Sequence, residues 1–407
     1  MSFMKLIKRR TIFLFLTTLV VLVVGVLLRK LNRTVADITE REKCPACFGV
    51  SLCQDIDDNK IVFEYSDFNS IFNNLFGVKN VYYGKYGDTK VVVKKLAHDF
   101  EFQLFDDFIC SNDQFDELCF RKNKRSNAIT NFYRSILRDL EDARFDDPHV
   151  KLRICPTVGR ANKLLGKIGD SAKNANYYKY LWSFIKINPE PIFLQLLRPE
   201  NDWPTPKYIG ECGRVVVEEN AGLPLSAFIN EPWIKRAEIS SSLLDAAYKL
   251  TFKHSEFAFY LTDVSTDNIA VNQNNQAVFI DLENVIVVDK DPPKEVWSNI
   301  LSWNETHISE THTNCQDCFI FSPSDICNHK ISDHNYMAIC QHALGQNNER
   351  FTQGFLHSTP SEILKKYSTL TNLIKKCSTP DPPHSRITFG IQLQKVLDSI
   401  IKYQKQR

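Results

Sequence analysis

An uncharged apolar run near the N-terminus constrains this chain more than any other feature. The run covers residues 11–28 and has basic residues on both sides. As an α-helix it would measure roughly 27 Å, close to the hydrocarbon thickness of a bilayer. We therefore expect a transmembrane signal anchor, with residues 1–10 in the cytosol and the rest of the chain in the lumen. A cleaved signal peptide and a buried soluble helix are the alternatives.

Twelve cysteines lie downstream of this run. An even, high cysteine count behind a translocation signal is typical of an oxidising compartment, so we expect disulfide bonds. Spacing alone does not give their pairing. The candidate disulfide cysteines are Cys44, Cys47, Cys53, Cys110, Cys119, Cys155, Cys212, Cys315, Cys318, Cys327, Cys340 and Cys377.

Two Cys-x-x-Cys pairs allow a different interpretation. Cys44 with Cys47 and Cys315 with Cys318 have the spacing of zinc ligands, and His329 lies near the second pair. Thioredoxin-like redox chemistry also uses this spacing, although neither pair opens a βαβ pattern. A zinc or redox module is therefore kept as the third hypothesis for this chain.

Glycosylation sequons and net charge bear on the partners of the chain. Asn32 and Asn304 each begin a sequon, and Asn32 lies close to the apolar run. The formal net charge of +2 gives no electrostatic reason to expect nucleic acid as a partner. We expect secretory-pathway or extracellular proteins as partners, and the membrane through the N-terminal helix.

Apolar periodicity predicts a mixture of helices and strands after the anchor. Residues 80–96 contain β-branched runs around a glycine-containing turn, which indicates two or three strands, and residues 214–217 indicate another. Helices are predicted over residues 100–110, 128–144 and 233–252. Two strand-like pieces over residues 257–272 and 276–289 are joined by a short polar turn, and residues 163–169 are predicted to form a loop.

The Asp263–Asn268 segment carries the strongest chemical signal. An Asp and an Asn stand five positions apart between apolar strand-like flanks, and Asp281 ends the next apolar run. A protein kinase uses such an Asp to accept the substrate hydroxyl proton, while the Asn and the later Asp hold the metal ions. Asp and Asn are also ordinary turn residues, so this pattern alone is weak.

Upstream residues strengthen the kinase interpretation. Lys94 ends a V-x-x-K strand, like the strand that carries the phosphate-binding lysine of kinases. Glu101 is its candidate ion-pair partner, with Glu141 as a rival. Gly84 and Gly87 are candidates for a reduced glycine-rich hairpin that contacts nucleotide, and a tight turn is their alternative role.

Several longer motifs resemble one known family. CPACFG, VVVKKL, NPEPIFLQ, WPTPKYIGECGR, FAFYLTDVSTDNIAV and DHNYMAICQ occur in order from about Cys44 to the C-terminus. Together they resemble the divergent protein kinase domain 2 family, the deleted-in-autism-related group of secretory-pathway kinase-like proteins. The resemblance implies a kinase-like fold and residence in the Golgi or elsewhere in the secretory route, with secretion as an alternative.

The predicted architecture is therefore α+β, a two-lobed protein-kinase-like fold preceded by a single N-terminal transmembrane helix and a cysteine-rich extension. We expect a single-pass type II protein of the Golgi or endoplasmic reticulum membrane with a lumenal domain. The predicted boundaries are a cytosolic tail over 1–10, an anchor over 11–28, a polar stalk over 29–43, a cysteine-rich extension over 44–79, an N-lobe with insertions over 80–217 and a C-lobe over 218–407.

By position, the resemblance implies Lys94 and Glu101 as the nucleotide lysine and its partner, Asp263 as the catalytic Asp, and Asn268 and Asp281 as metal ligands. ATP with Mg²⁺ or Mn²⁺ would be the nucleotide and cofactor.

This sequence also departs from the usual kinase pattern. Thr262 replaces the usual Arg before the catalytic Asp, Ser265 replaces a Lys, and no Gly follows Asp281 in the way that D-F-G requires. No A-P-E-like motif follows either. An active kinase is the first hypothesis, and a catalytically inactive pseudokinase acting as a lumenal scaffold or secreted ligand is the second.

Overall fold

The computed structural model describes residues 2–112, 115, 118–119, 132–142, 151–166, 168, 175–309, 320–344, 354–379 and 385–406. The chain forms two compact units, each built from two stretches of sequence. The first unit comprises Met1–Ser126 and Ile209–Asn220, and the second comprises Asn127–Tyr208 and Ala221–Arg407. The predicted N-lobe over 80–217 is thus divided, because residues 127–208 belong to the second unit.

The α-helices, in chain order, are α1 (Ser2–Leu31), α2 (Ala36–Thr39), α3 (Cys53–Asp57), α4 (Phe68–Phe76), α5 (Asp99–Ser111), α6 (Phe132–Asp142), α7 (Ala161–Leu165), α8 (Ala175–Ile187), α9 (Glu190–Leu196), α10 (Trp233–Tyr248), α11 (Lys294–Trp297), α12 (Pro323–Cys327), α13 (His334–Met337), α14 (Ser361–Lys366), α15 (Leu370–Ser378) and α16 (Arg386–Lys405). Two π-helical segments, Lys249–Lys253 and Ala338–Ala343, follow α10 and α13.

The strands are β1 (Ile61–Phe63), β2 (Val81–Tyr86), β3 (Thr89–Lys95), β4 (Arg153–Cys155), β5 (Tyr208–Cys212), β6 (Val215–Glu219), β7 (Leu223–Pro224), β8 (Phe257–Leu261), β9 (Ile269–Val271), β10 (Ala277–Phe279), β11 (Val285–Asp289), β12 (Thr306–His307) and β13 (Ile331–Ser332). The mixture of helix and sheet agrees with the predicted α+β class.

The first unit is built on a five-stranded sheet in the order β1-β2-β3-β6-β5. Strand β3 pairs antiparallel with both β2 and β6, so it lies at the centre. Because successive side chains of a strand point to opposite faces, Val91 and Val93 share one face of β3. They join Val215 and Val217 of β6 in a buried cluster. This cluster is the core of the first unit.

Residues predicted to form a polar stalk contribute to that core. Val35 and Ile38, three positions apart on and beside α2, are buried in the cluster with Leu52 of the cysteine-rich extension. The backbone N–H of Arg214 donates to the carbonyl of Thr39 at 2.8 Å. Val35 and Ile38 of the predicted stalk therefore belong to the core of the first unit, because they lie one helical turn apart and pack against the same buried cluster.

Disulfide bonds confirm the predicted use of cysteine. The bonded pairs are Cys44–Cys47, Cys53–Cys212 and Cys110–Cys119 in the first unit and Cys155–Cys327 and Cys340–Cys377 in the second. Since the Cys44 and Cys47 sulfurs are bonded to each other, they are not zinc ligands. Cys315 and Cys318 lie outside the described residues. Within the described ranges, no cluster of three His, Cys, Asp or Glu side chains has the arrangement of a metal site.

The predicted apolar run over 11–28 lies within α1. In the described part of the chain, no helix taken singly combines the length and hydropathy of a membrane span. The segments Phe15–Leu31 and Ala36–Lys43, which meet at an 89° bend, satisfy the criterion of length and composition only as a pair.

The second unit contains two small sheets that frame the predicted catalytic segment. Strands β4, β11 and β8 form one, in which β11 is parallel to β4 and antiparallel to β8. Strands β10, β9 and β7 form the other. Every residue of β8 and β11 is buried, including Asp289 at the end of the otherwise apolar β11. The chain passes from β8 through the 262–268 segment into the β9–β10 hairpin.

Predicted helices agree with the structure better than predicted loops. Helix α5 matches the prediction over 100–110, and α10 with its π-helical extension matches the prediction over 233–252. Helix α6 covers the described part of the prediction over 128–144. The loop predicted over 163–169 is wrong at its start, because Leu164 and Leu165 are buried at the end of α7.

Candidate active site

The segment after β8 folds back on itself around Asp263 and Asn268. Val264 and Thr266 are buried and anchor the segment, whereas Asp263 is exposed. The backbone N–H of Asn268 donates to the Ser265 carbonyl at 3.1 Å. The side-chain amide of Asn268 donates to the carbonyl of Asp263 at 3.5 Å, a long contact. The two residues predicted as catalytic base and metal ligand therefore lie side by side.

The β9–β10 hairpin brings Asp281 to the same place. Ile269 lies opposite Phe279, and the backbone N–H of Ile280 donates to the carbonyl of Asn268 at 3.0 Å. Asn268 precedes one strand and Asp281 follows the other, so both lie at the open end of the hairpin. The structure thus brings together Asp263, Asn268 and Asp281 within the second unit. Their chemical roles stay predictions.

The loop that carries Asp281 is held from α9. The backbone N–H of Leu282 donates to the Glu190 carboxylate at 3.1 Å, and the side-chain amide of Asn188 donates to Glu283 at 2.9 Å. The backbone N–H of Glu190 donates to the Asn188 side chain at 2.9 Å, which ties the two supporting residues together. The sequence alone gives these two residues no role, although both lie in the NPEPIFLQ motif that contributes to the family resemblance.

Three carboxylates are crowded at this loop. Burial, and after it the negative charges of Asp281 and Glu190, raise the pKa of Glu283 to about 7, against smaller opposing effects of Lys151 and of a hydrogen bond from Asn284. Carboxylate and amide oxygens are the hard ligands that Mg²⁺ and Mn²⁺ prefer. The donor set of Asn268 and Asp281, next to this excess of negative charge, fits the predicted cation.

Strand β8, which leads into Asp263, is fixed by the DHNYMAICQ motif. Asn335 accepts a hydrogen bond from the Leu261 N–H at 3.1 Å and donates to the Phe259 carbonyl at 2.9 Å. A ring nitrogen of His334 lies 2.7 Å from the Leu261 carbonyl. His334 and Asn335 are fully buried, and sequence reasoning assigned neither a role. They position the strand that presents the candidate catalytic Asp.

Lys94, in the first unit, forms a buried ion pair with Glu218. Its ammonium nitrogen lies 2.9 Å from a carboxylate oxygen, and the two side chains are 12% and 2% exposed. In the β3–β6 register Lys94 lies opposite Val216, so Glu218, two residues further, shares the same face. The strand pairing therefore determines this partner.

The predicted pairing of Lys94 with Glu101 is not what the structure shows. The Glu101 carboxylate is exposed and accepts a hydrogen bond from the backbone N–H of His98 at 2.9 Å. It thus closes the first turn of α5, where a negative charge is favourable. The rival, Glu141, is an exposed residue near the end of α6 in the second unit.

Gly84 and Gly87 each have a structural reason to be glycine. Gly84 lies inside β2, where an added Cβ would approach the Val62 carbonyl oxygen of β1 to 2.7 Å. Gly87 has φ +59° in the β2–β3 turn, a conformation that glycine adopts without strain. Close strand approach and turn geometry account for both, so neither needs a nucleotide to explain it.

A lysine in a sheet strand, together with an Asp, an Asn and a second Asp around a loop and hairpin, defines a protein-kinase-like domain of divergent type. A family described as the protein-kinase domain of FAM69 matches residues 181–380, a range that includes Asp263, Asn268 and Asp281 but not Lys94.

Relatives that are matched over most of their length indicate the same class of protein. The chain is 30% identical over 382 residues to divergent protein kinase domain 2A of Xenopus tropicalis, which covers 87% of this chain and 86% of the relative. It is 30% identical over 381 residues to the human protein of the same description, with 87% and 86% covered. It is 23% identical over 362 residues to divergent protein kinase domain 2B of Mus musculus, with 84% and 78% covered. The chain belongs to the divergent protein kinase domain 2 family, as its motifs predict.

Proposed function

We propose that this chain is a secretory-pathway protein kinase that transfers the γ-phosphate of ATP to hydroxyl groups of lumenal or secreted proteins. The observation that carries the proposal is the convergence of Asp263, Asn268 and Asp281 at the open end of one hairpin. The protein takes little covalent part in phosphoryl transfer, which depends mainly on positioning the reactants and neutralising charge. A set of oxygen ligands beside an exposed carboxylate meets both needs.

Each residue has a defined task in this mechanism. Asp263, exposed at the turn after β8, orients the attacking hydroxyl and accepts its proton. Asn268 and Asp281 would hold Mg²⁺ or Mn²⁺, and Lys94 would bind the phosphates. When bound, the cation would neutralise the charge that develops on the transferred phosphoryl group. Thr262 and Ser265 replace the usual basic residues of the loop, so the 262–268 segment itself supplies no positive charge to the transferred phosphoryl group.

The proposed location is the membrane of the Golgi or endoplasmic reticulum, with residues 11–28 as the anchor and the body in the lumen. Disulfide bonds in both units support an oxidising compartment. Asn304 and Asn32 are exposed, as glycosylation requires. Secretion after cleavage of the N-terminal segment is the alternative for location.

Phosphate transfer from labelled ATP to secreted proteins tests the proposal. The full chain is incubated with Mn²⁺, and wild type is compared with Asp263→Asn. We expect the variant to lose at least about a hundredfold in rate, because proton acceptance and orientation are both removed. Asp267→Asn, the same charge change in the same loop, is the matched control and should keep activity. Equal rates for wild type and Asp263→Asn would contradict the proposal.

A pseudokinase is the second candidate function, and one observation favours it. The amine of Lys94 is already paired with the buried carboxylate of Glu218, which competes with phosphate for the same cation. In that case the chain would act as a lumenal scaffold or secreted ligand through its surface. Full rescue of a loss-of-function phenotype by Asp263→Asn would support this alternative over phosphoryl transfer.

A further inference from the structure

Two short segments of the second unit are joined by two hydrogen bonds next to the candidate metal ligand, and a third hydrogen bond ties the two supporting residues to each other. Glu190 begins α9 and Asn188 lies two residues before it, and Asp281, Leu282 and Glu283 belong to the loop after β10. Leu282 N–H donates to Glu190, Asn188 donates to Glu283, and Glu190 N–H donates to Asn188, at 3.1, 2.9 and 2.9 Å.

The supporting side of this contact is buried. Asn188 and Glu190 are 5% and 3% exposed, and the next residues of α9 through Leu194 are also buried. A buried acceptor whose hydrogen bond is broken has little water to replace the lost partner, so opening the contact is costly. Segment Asn188–Glu190, which we name the clamp, is therefore a rigid support for the loop.

Burial and hydrogen bonds also fix the Asp281–Glu283 loop itself. Leu282 occupies the position after the metal-binding Asp, and its side chain is fully buried while its N–H is bonded to Glu190. Glu283 stands where a glycine would give the backbone access to positive φ, and its side chain is held by Asn188. The backbone of the loop at Leu282 and the side chain of Glu283 are therefore both hydrogen-bonded to the clamp.

We propose that the clamp holds the Asp281 loop in its ligand-binding arrangement before any ligand binds, so that rearrangement of this loop does not regulate the site. The inference rests on the proposed function for the metal role of Asp281. Asn188 and Glu190 act as positioning residues, since neither needs to touch nucleotide or cation. Regulation of such a kinase would have to act on substrate access or on the first unit instead.

Amide hydrogen exchange at Leu282 measures the clamp directly. In the full-length wild-type chain we expect slow exchange in EDTA, with a change of less than about twofold when Mn²⁺ and ATP are added. Glu190→Ala should accelerate exchange by about 10- to 100-fold, because an acceptor with a charge is lost. It should also weaken Mn²⁺-ATP binding by about tenfold, read from the ligand concentration dependence of thermal unfolding.

Rescue by a conservative variant separates positioning from a general structural role. Glu190→Gln keeps an oxygen acceptor and should retain slow exchange and binding. Asn188→Ala, which removes the contact with Glu283 and the support of Glu190, should give an intermediate acceleration and serves if Glu190→Ala fails to fold. Glu200→Ala, the same charge change at an exposed position in the same unit, is the control.

Two results would overturn the clamp. One is fast Leu282 exchange in the wild type without ligand, and the other is unchanged exchange in both Glu190→Ala and Asn188→Ala. Failure of the proposed function would give a different result in the same measurements. The wild type would then show no thermal shift with Mn²⁺-ATP, while Leu282 would still exchange slowly and respond to the variants.

Discussion

Lys94 and Glu218 form an ion pair across neighbouring strands, with 2.9 Å between the ammonium nitrogen and a carboxylate oxygen. Both side chains are largely removed from water, so each charge depends on the other. Removing one partner of a buried pair leaves an uncompensated charge, whereas replacing both with apolar residues is often tolerated. The pair therefore has a structural role that must be separated from any role in binding phosphate.

A double variant makes that separation. We expect Lys94→Met to lower the free energy of unfolding by about 2–4 kcal/mol, because Glu218 is left buried and charged. Lys94→Met with Glu218→Met should recover most of this loss but not the thermal shift with Mn²⁺-ATP. Urea unfolding and thermal unfolding measure the two effects. Recovery of the nucleotide shift in the double variant would show that Lys94 does not bind phosphate.

Asp281→Asn should weaken ligand binding without lowering the stability of the ligand-free chain. The change neutralises one of three carboxylates crowded at the loop, so the ligand-free chain should unfold at the same temperature or higher. The rise in unfolding temperature that Mn²⁺-ATP causes should fall to less than about half of the wild-type rise, because a cation ligand loses its charge. Thermal unfolding with and without ligand checks both, and a full shift in the variant would contradict the metal role.

Asn335→Ala tests the support of β8. The side chain makes hydrogen bonds to Leu261 and Phe259 and also donates to the hydroxyl of Thr251 at 3.0 Å. Leaving buried backbone groups unpaired should cost about 2–4 kcal/mol in unfolding free energy, measured by urea denaturation. Asn299→Ala, which removes an exposed amide bonded to the Glu295 carbonyl, should cost less than about 0.5 kcal/mol. Similar losses in both variants would contradict this role.

Acid should weaken the ion pairs of Glu40. Burial alone would raise the pKa of Glu40, but hydrogen bonds from Lys95 and Lys43, with their positive charges, outweigh it and hold the pKa below its ordinary value of 4.5. A lowered folded-state pKa gives stability that is complete above the unfolded-state value and is lost as pH falls. Glu40→Gln should therefore be less stable than wild type at pH 7, and the difference should shrink below pH 4.5.

Urea midpoints measured at a series of pH values test this dependence. A matched control is Glu42→Gln, a change at a neighbouring exposed carboxylate, which should leave the pH profile of wild type unaltered. A constant difference between Glu40→Gln and wild type across the whole range would mean that the ion pairs with Lys95 and Lys43 do not contribute.

The part of the candidate site that could be predicted is the part that is local in sequence. Asp263 and Asn268 are five positions apart, and a short hairpin joins Asn268 to Asp281, so their proximity follows from the loop and turn. The ion pair of Lys94 could not be found in this way, because Glu218 reaches it only through strand pairing. Glu101, the partner that the kinase pattern predicts, instead accepts a hydrogen bond from the backbone N–H of His98 at the start of its own helix.

The cysteine pairs show the same limit. Cys53 and Cys212 are separated by 159 positions, and no spacing rule connects them. Their proximity depends on the backbone of the extension pairing beside β5, where Leu52 N–H donates to the Glu211 carbonyl at 3.0 Å. This pairing depends on which apolar face of the sheet the extension covers. That face can be identified only once the order and register of the strands are known.

The two-part composition of the first unit has a consequence for biosynthesis. Strand β3 leaves the ribosome long before β6, yet β6 supplies the neighbour that covers one of its edges. While residues 127–208 are being translated, the early strands therefore have an unpaired edge and an incomplete core, which is a hazard for association with other nascent chains. This polypeptide should depend on chaperones until Val217 has been synthesised, and truncations that end before that residue should not be recovered in folded form.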